Sequence, residues 1–356
     1  MYIHLPRINS LLKNQSYNFD FENSATNLIT NIIFSLRIKS IAIPAFLCEE
    51  ILIAVKICKL KINYYDLDEE FNPILKEIHL ESDCLFMCDY FGYPIKISSQ
   101  IEFFLSDTNK PIIIDRSHSL FAGFESDINK NLSSRNNIFY VFSLRKFLPT
   151  INGAILIKNK NEKNFKFKKF IPGSKNLIKS VLYIFLKALL ANNYFGGKIL
   201  AQRQIKKIFQ NKNNRLNGYD LTYPNLENLE TSLGYCTSLF DERNKTYIED
   251  KTLKRISNKR LEDLLEIKKF LSKSLKSLRF KIKKFNKDYG VPYGIVLELN
   301  KDISKNDFEN LIAIPFLKEC GKAEIIIWPY NTLSEYQIEE KKLKSIILLI
   351  PRIRYV

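Results

Sequence analysis

Residues 111–119 read PIIIDRSHS, and residues 137–160 read NIFYVFSLRKFLPTINGAILIKNK. Each holds an unbroken apolar run of strand length that closes on polar residues. Ile112, Ile113 and Ile114 precede Asp115 and His118; Ile138, Phe139, Tyr140, Val141 and Phe142 precede Ser143 and Lys146. An apolar run without alternation belongs to a strand covered on both faces, as in a parallel sheet between helical layers. Outward from here, DCLFMCDYFG (83–92) has the same character, IAIPAF (41–46) reads as a short buried strand stopped by Pro44, and LKINYYDLD (60–68) reads as another strand. Helical spacing lies between them. In 24–37, Leu28, Ile29, Ile32, Ile33 and Leu36 share one face after a Ser/Thr/Asn cluster suited to an N-cap, and a second helix is predicted over 49–59. IEFFLSDT (101–108) reads as helical or irregular. The alternation predicts an α/β fold with a mostly parallel sheet. Ligands bind such sheets beyond the carboxyl ends of the strands, where Asp89, Asp115, His118 and Ser143 fall.

Past residue 160 the pattern changes. NEKNFKFKKF (161–170) reads as a basic, exposed connection, followed by helical material (176–213) and a polar loop (217–228). A long charged helix is predicted over 241–277, with Leu261, Leu264, Leu265 and Ile267 on one side. YGIVLELN (293–300), a helix over 305–311, AEIIIWP (323–329) and ILLIPRIRYV (347–356) then suggest a smaller α+β domain. The expected division is a large domain, 1–254, with an N-terminal arm and a helical insertion at about 161–215, and a small C-terminal domain, 255–356.

Composition narrows the classes. The 356 residues are 46% hydrophobic and 26% charged, enough for a real core, and 11 Gly with 12 Pro exclude a collagen-like or low-complexity chain. Lys plus Arg exceed Asp plus Glu by 55 to 38, a net charge of +17. The surplus is spread along the chain with Asn and Ile, so it reads as a basic solvated surface rather than a nucleic-acid arm. Six Cys without paired spacing and three His give no metal site, and reduced buried thiols point to a cytoplasmic protein. The N-terminus lacks the apolar run of a secretory signal, and 181–190, interrupted by Lys187, is too short to span a bilayer. Docking of the basic, aromatic stretch 161–200 on anionic lipid is a second reading, less favoured than a solvated connection.

Three residues converge on one chemistry. Lys146, in a strand-end turn, can serve as the amine of a Schiff base. Asp115 ends a buried strand, where a carboxylate is costly without a cationic partner, and a protonated pyridine nitrogen is one such partner. His118 lies three residues on, within reach of a phenolic oxygen or the substrate. His4 and His79 join no constellation.

PAFLCEEI, NYYDLD, CDYFGYP, IIIDRSHSL and SLRKFLPTINGA, in that order, resemble the pyridoxal-phosphate (PLP) aminotransferases of fold type I. Among these the likeness is to the DegT/DnrJ/StrS-type sugar aminotransferases. It covers about residues 20–160, and more weakly the C-terminal part through VPYGIVLEL, IIIWP and ILLIP. The resemblance implies a fold-type-I PLP-dependent transferase acting on a keto-sugar nucleotide in polysaccharide or glycan biosynthesis, with glutamate as amino donor and a homodimeric assembly. It implies that Lys146 carries PLP as an internal aldimine, that Asp115 binds the pyridinium nitrogen and that His118 lies at the phenolic oxygen. Ser143 would bind the phosphate with the helix start at Ser24 and Thr26. Phe46 or Cys48 would face the ring, Phe46 being preferred because an aromatic stacks, and Tyr90 or Phe91 would line the same pocket. The sequence departs from the family in Asn23-Ser24-Ala25-Thr26, which lacks the usual Gly, and in Ala154, where a second Gly is common. It also closes soon after ILLIP, where relatives continue into a helix. A degenerate relative that binds without catalysing is the alternative these departures suggest.

Overall fold

Eight strands form one sheet in the order β1-β8-β7-β6-β5-β2-β3-β4. They are β1 (Tyr17–Glu22), β2 (Ser40–Pro44), β3 (Lys61–Leu67), β4 (Pro73–Ile74), β5 (Cys84–Cys88), β6 (Ile112–Asp115), β7 (Ile138–Ser143) and β8 (Ala154–Asn159). The structure, a computed structural model, describes residues 17–22, 24–48, 51–52, 54–55, 58–93, 95–107, 110–121, 136–147, 153–160, 250–274, 281–282, 290–298, 323–328 and 346–351. The expectations for 161–215, 217–228, 241–249 and 305–311 fall outside the described residues.

β3, β2, β5, β6 and β7 run parallel, while β8, β1 and β4 pair antiparallel at the flanks. The mostly parallel sheet read from the apolar runs is therefore present. Successive residues of each strand enter opposite cores. Leu85, Met87, Ile112, Ile114, Ile138, Tyr140 and Phe142 join one cluster. Phe86, Cys88, Ile113, Phe139 and Val141 join the other, with Leu28, Ile29, Ile32 and Ile33 of helix α1 (Ala25–Ser35). Both faces are dry, which is why these strands show no polar alternation. α1 begins where Ser24 accepts the Asn27 backbone N–H at 3.1 Å. Two shorter helices, α2 (Glu77–Leu80) and α3 (Ser99–Ser106), follow; α3 resolves the stretch read as helical or irregular. β1 was not foreseen: YNFDFE alternates and forms an edge strand on β8.

A second, antiparallel sheet has the order β11-β12-β10-β9, with β9 (Lys281–Ile282), β10 (Ile295–Glu298), β11 (Ala323–Trp328) and β12 (Ile346–Pro351). Helix α4 (Asp250–Ser274) packs on β10 and β12. Its buried arc holds Leu253, Leu264, Ile267 and Leu271, while Leu265, expected on the same side, falls outside that arc and is exposed. Residues 254 and 255 both lie within α4.

The two parts are joined by backbone. Val291 N–H donates to the Phe121 carbonyl at 2.8 Å, and Tyr293 N–H donates to the Phe91 carbonyl at 2.9 Å. Between them Pro292 meets Gly92, whose φ is +92°, and a Cβ on Gly92 would stand 2.8 Å from Pro292 Cα. No side chain fits there without moving backbone. Gly92→Ala should cost about 1–3 kcal/mol, combining a left-handed φ with this contact. Chemical denaturation of the full chain measures it; an unchanged midpoint would show that residues 290–294 do not pack on Gly92.

Candidate active site

The parallel strands place their carboxyl ends on one edge. Cys88 closes β5 opposite Asp115, which closes β6, and Asp115 lies opposite Val141 of β7. Ser143 closes β7 opposite Ala154, and Ala154 is opposite Glu22, the last residue of β1. The chain therefore leaves β1 on the Ser143 side and starts α1 there, bringing Ser24 and Thr26 to the edge that carries Asp115. α1 has no acidic residue in its first turn, which favours an anion at its N-terminus. Phe46 follows β2 on this edge, where Ala45 N–H donates to the Tyr65 carbonyl.

Lys146 ends a 3-10 turn, Leu144–Lys146, directly after β7. Leu144 N–H donates to the Gly153 carbonyl at 2.8 Å, tying that turn to the start of β8. Gly153 has φ +130°, which explains glycine before this strand. Lys146 Nζ reaches to 2.9 Å from His118 Nε2. An ammonium has donors and no acceptor, so in that form Nζ donates and the neutral imidazole accepts. His118 is stacked between two rings: Phe91 at 5.4 Å and 18°, and Tyr293 at 4.5 Å and 12°. Lys146 Nζ also lies 6.0 Å from the centre of the Tyr293 ring.

Asp115 is 8% exposed, and its Oδ1 accepts the Ser117 backbone N–H at 2.8 Å, turning the chain toward His118. Beside it the Cys88 thiol is pushed well up by burial, then by the Asp115 carboxylate, while the Lys146 charge pulls the other way. Asp115 and Lys146 thus both act on one buried atom. Arg116 turns to the other face, with its Nε 2.6 Å from Asp89 Oδ2 and its guanidinium 5.4 Å from the Tyr140 ring centre. Both partners are almost wholly buried.

Of the residues expected from sequence, the structure brings Lys146 and His118 into contact and sets Asp115 and Ser143 at adjacent strand ends. Ser24 uses its hydroxyl to cap α1. Phe46 stacks on Phe71 at 6.1 Å and leans on Tyr90 at 5.5 Å, in an aromatic group that continues to Phe91. Sequence reasoning missed Tyr293, the Asp89–Arg116 pair and Arg260. Arg260 of α4 donates to the Pro292 and Tyr293 carbonyls and lies between the Phe147 and Tyr293 rings, at 4.9 and 5.2 Å. The local signal that could have marked Tyr293 is the turn-like composition Pro292-Tyr293-Gly294 just before β10.

No protein-family model and no curated protein sequence matches the chain. Solved structures do resemble it. A proposed PLP-dependent aminotransferase of Bacillus cereus superposes with a TM-score of 0.55 at 12% identity, covering 98% of this chain and 86% of that one. A proposed sugar aminotransferase of Streptococcus pneumoniae, in its cofactor-free form, gives 0.52 at 12% identity, covering 97% and 84%. The L-threonine-O-3-phosphate decarboxylase of Porphyromonas gingivalis gives 0.50 at 14% identity, covering 99% and 86%. The chain has the fold of these proteins, the fold-type-I architecture. Among the described residues no helix is long and apolar enough to cross a membrane, and no group of His, Cys, Asp and Glu could hold a metal ion.

The buried Asp89–Arg116 pair gives a direct test of this architecture. Arg116→Met leaves a buried carboxylate without its cation and should cost about 3–5 kcal/mol. The double substitution with Asp89→Leu should recover most of that loss, measured by denaturant unfolding of both variants. Additive losses would mean the two side chains do not interact.

Proposed function

We propose that the chain is a PLP-dependent aminotransferase that acts on a keto-sugar nucleotide, with glutamate as the amino donor. The observation that carries this reading is the Lys146–His118 contact at the carboxyl ends of β6 and β7, in this fold, with Asp115 closing β6.

The donor set fits the cofactor group by group. An amine, a buried carboxylate, an imidazole, a serine hydroxyl, a helix N-terminus with no acid in its first turn and an aromatic group share one sheet edge. When bound, PLP supplies a protonated pyridine ring that withdraws electrons from bonds at an amino-acid or ketone carbon. Lys146 would hold the cofactor through Nζ and could move a proton at that atom. Asp115 would keep a proton on the ring nitrogen, a task that suits a carboxylate shielded from water. His118 orients Nζ and would serve the phenolic oxygen. Ser143, Ser24 and Thr26 would hold the phosphate with the α1 N-terminus. Phe46 would supply the aromatic surface for the ring.

The finer assignment rests on the resemblance to DegT/DnrJ/StrS-type enzymes and is supported by a sugar aminotransferase among the structural neighbours. Lys and Arg in excess suit the diphosphate of a nucleotide-sugar. A homodimer belongs to the same reading.

Two substitutions test it. The full chain mixed with PLP should gain a visible absorbance band, and borohydride should fix the cofactor on Lys146, as peptide mass mapping will read. Lys146→Ala should lose both signals while keeping its unfolding midpoint. Cofactor fixed on another lysine would overturn the assignment. Asp115→Asn should retain PLP but raise the barrier for amino transfer from glutamate to keto-sugar nucleotides by about 3–5 kcal/mol, the scale of stranding one member of a buried charge pair. Turnover near that of the unaltered chain would remove Asp115 from this role. Turnover with keto acids alone would leave an aminotransferase of a different substrate class.

A further inference from the structure

We propose that Tyr293 is a positioning residue for the Lys146–His118 pair, clamping the His118 imidazole against Phe91 so that Nε2 faces Nζ. Three sets of contacts support it. The Tyr293 ring lies nearly parallel to His118, at 12° and 4.5 Å, a closer centroid distance than Phe91 makes on the other face. An imidazole held on both faces keeps its in-plane nitrogens aimed in fixed directions, and one of them meets Lys146 at 2.9 Å. The Tyr293 backbone is itself pinned, its N–H donating to the Phe91 carbonyl and its carbonyl accepting from Arg260. The same Arg260 lies over the Tyr293 and Phe147 rings, and Phe147 directly follows Lys146. α4 thus holds Tyr293, Tyr293 holds His118, and His118 holds Lys146.

The charged and titratable groups around the pair are Lys146 itself, Asp115 and Cys88 at the strand ends, Asp89 with Arg116, and Arg260 behind Tyr293. None of them supplies the flat apolar face that Tyr293 presents. The inference rests on the aminotransferase reading only in giving the Lys146–His118 pair its purpose. The contact is testable without cofactor.

The test uses the full chain, free of cofactor, labelled with nitrogen-15 on histidine. The chain has three histidines, and His79, held by the Lys76 N–H and the Tyr64 carbonyl, serves as the internal control. Long-range nitrogen–proton spectra report which ring nitrogen of His118 carries the proton. The rate of Lys146 modification by trinitrobenzenesulfonate, read by peptide mass mapping, reports how well Nζ is held and shielded. Tyr293→Leu should change the His118 pattern toward a mixture of tautomers and raise the Lys146 rate roughly fivefold, the scale of one aromatic pair. His79 should stay unchanged, and Tyr293→Phe, which keeps the ring, should restore both readouts. A Leu variant with unaltered His118 and Lys146 signals would overturn the proposal, and so would a Phe variant that behaves like Leu. If Tyr293→Leu also disturbs His79, Arg260→Met decides: it should shift His118 in the same sense by releasing the Tyr293 carbonyl, and no shift would overturn the proposal. Failure of PLP to bind, with these signals as expected, would count against the aminotransferase reading and not against the clamp.

Discussion

A strand buried on both faces can carry charge only at its ends, and this constraint arranges the whole edge of the large sheet. β5, β6 and β7 are buried along their full length. Placing a carboxylate or guanidinium midway along them would cost several kcal/mol without a partner. The chain therefore delays its ionisable residues to the last strand position or just beyond: Asp89, Asp115, Arg116 and Lys146. Because the strands are parallel, those positions all reach the same side. The antiparallel return through β8 and β1 adds Ser143 and the start of α1 by register alone, through the line Ser143, Ala154 and Glu22.

Strand alternation continues one residue past the hydrogen-bonded ladder and sorts the charges. Ile113 faces the core beneath α1, and Asp115, two residues on, emerges on that side with Cys88 and near Ser143. Arg116 takes the opposite side, over Tyr140, and meets Asp89 there. Two neighbouring residues of opposite charge thus serve different tasks. Arg116 locks the loop after β5 to the loop after β6, and Asp115 stays with the edge where Lys146 arrives. Burial keeps the Cys88 thiol neutral between them, so it behaves as a small apolar filler rather than a second anion.

What was legible in the sequence follows from the same physics. Continuous apolar runs of strand length between turn signals fit covered strands, so β2, β5, β6, β7 and β8 could be read, and with them the edge that gathers Asp115, His118, Ser143 and Lys146; β3, half-exposed apart from Tyr65, was legible from its Ile and Tyr content instead. β1 was missed because an edge strand alternates and carries Asp20 and Glu22, which look like loop residues when the partner strand is unknown. Leu265 was grouped on one side with Leu264 and Ile267, because helical spacing alone does not say where the arc of α4 that meets the sheet ends. Tyr293 and Arg260 left almost no trace. Their roles depend on how the C-terminal part folds back on the large sheet, a tertiary contact that no local period encodes.

That return contact bears on how the site holds its shape. Phe91 adopts φ +57° and ψ +17° while fully buried, a conformation that disfavours a bulky side chain by about 1–3 kcal/mol. It is followed by Gly92 in a second left-handed position. Such a pair persists only if its surroundings offset the strain. The offset comes from outside the loop as much as within it: the Phe91 carbonyl accepts the Tyr293 N–H, Gly92 receives Pro292, and the Phe91 ring packs on Phe71 and His118. Remove residues 290–294 and the loop loses the contacts that offset its strain, and His118 loses one of its two faces. The large sheet alone sets where Asp115 and Ser143 stand, since strand register fixes them. The direction of His118, and through it of Lys146 Nζ, is set jointly by the sheet edge and the C-terminal segment. The contacts around His118 and Lys146 therefore need both parts of the chain, so their docking shapes the candidate site as well as stabilising the Phe91–Gly92 loop.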